Sequence, residues 1–214
     1  ARLVEKDYYA SVLLEHLAAA DESLVFKGGT CLSKVYEQFF RLSEDLDFTI
    51  PIDSGATRGE RSRAAAPLKK AFSGIPASLP VFRIAEPLKG ANSSTQYIGV
   101  VAYRSAVIEQ DDFIKIEVGL REPLLTAVKK MPARTALLNP MTGVAEFAPL
   151  SIPCISLVEA YAEKFRAAMT RREAAIRDFF DIDHAVNRRK ISIEDDKFLR
   201  LVKFKLAVPG TGPI

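Results

Sequence analysis

The chain is poor in cysteine and histidine, has no long apolar run, and shows little excess charge of either sign. Its two cysteines, Cys31 and Cys154, make no Cys-x-x-Cys pair. That excludes a disulfide framework and a thiolate zinc site, and fits a reducing, cytoplasmic setting. Cys31 has no base beside it in the sequence and reads as a small core residue rather than a nucleophile. His16 and His184 stand alone without ligand spacing and read as non-catalytic. No apolar run approaches the ~20 residues that span a bilayer, and the opening VEKDYYASVL is too charged for a signal peptide, so no membrane partner is expected. Lys+Arg 30 against Asp+Glu 27 leaves a net charge of only +3, so a nucleic-acid-binding face would have to come from local clustering. Repeats and low-complexity tracts are absent as well.

What is present is a globular protein of 214 residues, 48% hydrophobic, long enough for one large domain or for one domain with a helical appendage. It begins at Ala1 and stops at VPGTGPI, as a portion of a longer protein would. VEKDYYASVLLEHLAAA sets Val12, Leu13 and Leu17 on one helical stripe, ended by Asp21 and Glu22. LVFK then reads as a short buried strand, and GGT opens a helix over CLSKVYEQFF, where Leu32, Val35, Tyr36 and Phe39 recur at helical spacing. LDFTI is a β-branched and aromatic run closed by Pro51. The next stretch carries Arg58, Arg61, Arg63, Lys69 and Lys70 and is interrupted by Pro67. Strand-like runs SLPVFRIAE, TQYIGVVAY and DDFIKIEVGL follow, and from Ser156 onward three segments read as helix.

Chemistry enters at the glycine turn. Two glycines ahead of a helix let backbone N–H groups approach an anion, which suits a phosphate at Gly28, Gly29 and Thr30, with Ser33 and Lys34 in reach on the first turn. The plainer reading is a turn with Thr30 as N-cap. Asp45 and Asp47, one residue apart on a strand, point to the same face, where their repulsion is best relieved by a hard divalent cation. The alternative pairs Asp45 with Arg41 and leaves Asp47 in solvent. Glu117 interrupts an apolar strand, either as a third acid of the same site or as a surface residue of a half-exposed strand.

Together these residues resemble the polymerase-β-like nucleotidyltransferases. More narrowly, FKGGTCLSKVY with RLSEDLDF, AYAEKFRAAMTRR and IRDFFDIDHAV is similar to the AbiEii family, the nucleotidyltransferase toxins of type IV toxin–antitoxin and abortive-infection systems. The resemblance implies an α+β polymerase-β-like fold with a small mixed sheet. Residues 1–150 would form the catalytic domain and 151–214 a helical C-terminal region completing the active-site cleft. It implies Mg2+ or Mn2+ held by Asp45, Asp47 and Glu117, and a nucleoside triphosphate contacted by Gly28, Gly29, Thr30, Ser33 and Lys34. Lys164 would be the phosphate clamp, with Asp178 orienting it or the acceptor, while Asp181 and Asp183 read as charges on a polar face. The implied partners are a tRNA or other RNA acceptor and a cognate antitoxin. The competing readings are a small-molecule, aminoglycoside-type nucleotidyltransferase and a non-catalytic nucleotide- or RNA-binding module of the same fold.

Overall fold

A computed structural model describes residues 1–121 and 123–208, so most of the terminal VPGTGPI lies outside the described residues. The chain divides into two units, one of residues 1–123 with Val128–Cys154, the other of Leu124–Ala127 with 155–208. The sheet unit runs to Cys154, where its last strand in the sequence ends.

That sheet has seven strands: β1 (Val25–Lys27), β2 (Leu46–Thr49), β3 (Phe82–Ala91), β4 (Gln96–Arg104), β5 (Asp111–Gly119), β6 (Lys129–Ala133) and β7 (Leu150–Cys154). Their spatial order is β3-β4-β5-β2-β1-β7-β6. β2 runs parallel to β5, and β1 parallel to β7, while β1 and β2 are antiparallel, so the sheet is mixed as expected, though larger. β6 and β7 escape sequence reading for a physical reason. KKMPA and LSIPC are short and each carries a proline, a residue that weakens any strand assignment.

Helix α1 (Arg2–Ala20) buries Ala10, Leu13, Leu14 and Leu17 at i, i+3, i+4, i+7, so Leu13 and Leu17 face inward as expected while Val12 is only half-buried. Tyr9 from the same helix packs on Tyr103 of β4, ring centroids 4.1 Å apart. α2 (Gly28–Cys31) continues as a π-helical turn over Leu32–Tyr36 and stops there, four residues short of the expected end. Gln38 and Phe39 adopt left-handed backbone (φ 47° and 60°), and Phe39 N donates to Ser33 O at 2.9 Å, folding the segment back on itself. The basic stretch forms α3 (Arg58–Ala64), closed by a Thr57/Glu60 capping box, and α4 (Ala66–Ser78), with Pro67 in its first turn where a missing N–H costs nothing.

The second unit holds α5 (Leu157–Thr170), α6 (Ile176–Asn187) and α7 (Asp196–Leu206). Its interior contains charge. Lys205 and Glu159, both fully buried, pair at 2.8 Å, and Glu163 joins at 3.0 Å. Glu159 also accepts from Leu125 N, Thr126 N and Thr126 Oγ1 at 2.9, 2.8 and 2.6 Å, so the detached four-residue segment is tied to the helices by one carboxylate. Satisfied in this way, a buried charge fixes one arrangement of its partners. Among the described residues no helix is long and apolar enough to cross a membrane.

Candidate active site

In the sheet unit the acids are set by alternation. Leu46 and Phe48 of β2 turn into the core, which leaves Asp47 on the opposite face, and Asp45, just ahead of the strand, shares that face. Register does the rest. Asp47 lies opposite Lys27 on one side and Glu117 on the other, so a cation and two carboxylates stand in one row across β1, β2 and β5. Asp45 falls at the level of Lys115, whose ammonium is 3.9 Å from Asp45 Oδ2 and 3.1 Å from Glu117 Oε2. Gln96 Nε2 donates to the other Glu117 oxygen at 2.6 Å. Burial, the Glu117 charge and then Asp45 push the Asp47 carboxyl up to about 6, against the opposite pull of Lys27 and Lys115.

The glycine turn is packed directly against this row. Gly28 has φ +75°, and a Cβ there would overlap Asp47 Oδ2 while lying 2.7 Å from Asp47 Cβ. Only glycine combines that backbone with that approach. Gly28→Ala is expected to lose about 1–3 kcal/mol of stability and to displace the Asp47 carboxylate, read as a lower melting temperature together with lost activity. An unchanged melting temperature would refute the overlap. Thr30 Oγ1 donates to the Asp45 carbonyl, so its hydroxyl fastens the turn to the acidic loop. Gly29 lies against the Arg41 guanidinium, a Cβ there falling 2.5 Å from Nη2.

Two residues expected at the phosphate are engaged elsewhere. Ser33 is buried and donates to Arg41 O at 2.6 Å. Lys34 is buried too, its ammonium bonded to the Asp7 carboxylate of α1, to Ser11 Oγ at 2.9 Å and to Arg134 O at 3.2 Å. Burial lowers the Lys34 pKa even though Asp7 pulls the other way. The sequence offers no sign of this pairing, since Asp7 lies a whole helix and strand away.

In the second unit Lys164 meets two acids. Its ammonium is 2.8 Å from Asp181 Oδ2 and 3.2 Å from Asp178 Oδ1, and Arg171 Nε lies 2.8 Å from Asp178 Oδ2. Both aspartates are fully buried. Asp181, expected on a polar face, is in fact the nearer carboxylate to Lys164. The cause is helical spacing, because Asp178 and Asp181 are three residues apart and share the face of α6 that carries Ala185 inward.

A glycine turn set against an Asp-x-Asp strand on a mixed sheet is the scaffold of a nucleotidyltransferase. The family described as nucleotidyl transferase AbiEii toxin, type IV toxin–antitoxin system, matches residues 12–213, and the chain belongs to that family. Among solved structures it is similar to MenT4, a nucleotidyltransferase toxin from Mycobacterium tuberculosis H37Rv, with 21% identity and a TM-score of 0.62. That alignment covers 96% of this chain and 66% of MenT4, so the chain spans slightly less than two thirds of its relative. A Helicobacter pylori protein described as a nucleotidyltransferase aligns at 16% identity and TM-score 0.58, over 96% of this chain and 76% of the other. JHP933 from Helicobacter pylori aligns at 19% and 0.53, over 86% and 67%. Comparison with curated proteins gave no match.

Proposed function

We propose that the protein transfers a nucleoside monophosphate from a nucleoside triphosphate to an RNA acceptor, tRNA foremost, in a reaction dependent on Mg2+ or Mn2+. In this reading it is a growth-inhibiting toxin of the cytoplasm restrained by a cognate antitoxin. The observation that carries the reading is the direct packing of Gly28 on Asp47, with Asp45 on the same face. The donor set suits a hard divalent ion, because Asp45 and Asp47 offer oxygens only, and burial, with the Glu117 and Asp45 charges behind it, makes the ionised Asp47 carboxylate costly until a cation compensates it. Bound there, the ion would neutralise the triphosphate and polarise its α-phosphate.

The chain's own residues supply binding and orientation. Asp45 and Asp47 would hold the ion, and the turn at Gly28 and Gly29, which carries no Cβ, would bring backbone N–H donors toward the phosphates. Glu117, whose two oxygens are engaged by Gln96 and Lys115, acts on the pair through its charge. Lys164, held between Asp178 and Asp181, is a fixed ammonium suited to a phosphate. Arg58, Arg63 and Lys70 are exposed on α3 and α4 and suit an RNA backbone. By contrast, Lys69 rests over the Tyr97 ring at 4.6 Å and bonds Ser62.

The test is incubation with each α-labelled nucleoside triphosphate, Mg2+ and total tRNA. Label should reach RNA with wild type, be lost with Asp45→Ala, and fall at least ~10²-fold with Lys164→Ala. Absence of label with every triphosphate would overturn the proposal. Transfer to an aminoglycoside alone would replace the acceptor.

A further inference from the structure

The acid cluster contains a side chain that the reaction as proposed does not use. Lys115 precedes Glu117 by two residues on β5, so both side chains stand on one face of the strand. Parallel pairing of Leu46 with Ile116 and of Asp47 with Glu117 brings Lys115 level with Asp45. Its ammonium lies 3.1 Å from Glu117 Oε2 and 3.9 Å from Asp45 Oδ2, thus between the acid on β5 and the acid just ahead of β2. The remaining oxygen of Glu117 is held by Gln96 at 2.6 Å. Among the described residues no group of three or more His, Cys, Asp or Glu side chains is arranged to hold a metal ion. The third carboxylate is already engaged.

Two-ion phosphoryl-transfer sites set their ions about 3.5–4 Å apart, and carboxylates must bridge and flank both. Here the second set of ligands is committed to an ammonium. We propose that Lys115 takes the place of a second cation, so that the site binds a single divalent ion on Asp45 and Asp47. The inference rests on the metal-dependent reading above and deepens it. Three carboxylates face two ammonium groups, Lys115 and, across β1, Lys27. One divalent ion therefore already turns the cluster positive, as a polyphosphate requires. A second would find no unengaged acid to hold it and would add repulsion. A covalently attached cation has the further property that it cannot dissociate, so its half of the charge compensation is independent of metal concentration.

The experiment counts ions rather than turnovers. Mn2+ is titrated into the purified protein with an α,β-methylene nucleoside triphosphate, and free Mn2+ is read by electron paramagnetic resonance. Wild type and Lys115→Arg should bind one Mn2+ per chain. Lys115→Met and Lys115→Gln, which release Glu117 and remove the ammonium, should bind two. Lys115 is 40% exposed, so the neutral variants should fold, with circular dichroism as the check. Two ions on wild type would overturn the inference while leaving a metal-dependent transferase in place. One ion on both neutral variants would overturn it as well, because something other than Lys115 would then exclude the second. No Mn2+ on wild type would defeat the metal reading itself, a result distinct from either.

Discussion

Asp47→Asn should abolish nucleotide transfer and at the same time make the protein more stable. Asparagine keeps the shape of the side chain and removes the charge that burial, Glu117 and Asp45 disfavour. Loss of an ion-holding carboxylate should cost transfer at least ~10²-fold. The stability gain follows from linkage. The wild-type carboxyl is raised from 3.8 to about 6 in the folded protein, so between those values the folded state holds a proton that the unfolded chain has released. Wild type therefore loses stability as pH rises through that window, whereas the asparagine variant does not. Below 3.8 the two should melt alike, and above 6 the variant should lead by up to about 3 kcal/mol. Melting temperatures in metal-free buffer at about pH 4 and about pH 7.5 decide the matter. Parallel pH dependence of the two proteins would show that Asp47 is not strained in the fold. Added Mg2+ should stabilise wild type and leave the variant unmoved.

The second large effect concerns the buried Asp7–Lys34 pair. Asp7 on α1 receives the Lys34 ammonium and Thr135 Oγ1 at 3.2 Å in the interior, and Ala136 N at 2.7 Å from a half-buried position. It thereby joins α1, the π-helical turn and the chain just beyond β6. Asp7→Ala leaves a buried ammonium uncompensated and should cost about 3–5 kcal/mol. In a unit of this size that is a drop on the order of 6–20 °C in melting temperature. The double variant Asp7→Leu with Lys34→Met removes both charges and should recover most of the loss. If Lys34→Met alone abolished transfer without lowering the melting temperature, Lys34 would belong to the phosphate site after all.

These two cases show what the sequence makes legible. The strand carrying Asp47 can be read from alternation over a handful of residues, and the glycine turn from its position between a strand and a helix. Both are local patterns, and local patterns survive folding well. Glu117 stands out because a charge in an apolar strand is unusual. The role of Lys115 is not legible in the same way, since it depends on the register between β2 and β5, which no local pattern specifies. The surroundings of Lys34 and Asp181 are hidden from the sequence for a related reason. Each looks like a polar-face residue on its own helix, and each is buried by a partner that only tertiary structure supplies. The strands β6 and β7 are short and proline-bearing, so their signal lies below what alternation can reveal.

The four residues that leave the sheet unit to join the helices have a consequence for anyone who cuts this gene. Because the polypeptide passes between the units at 123/124, 127/128 and 154/155, neither unit is one uninterrupted stretch of chain. A protease nick after Cys154 would not release the helices, which would stay fastened through Leu125 and Thr126 to Glu159. A truncation starting at Ile155 would strip that buried carboxylate of three hydrogen bonds and leave it to Lys205. A dissection into separately expressed units would need residues 124–127 removed from one piece and joined to the other, rather than a single stop codon.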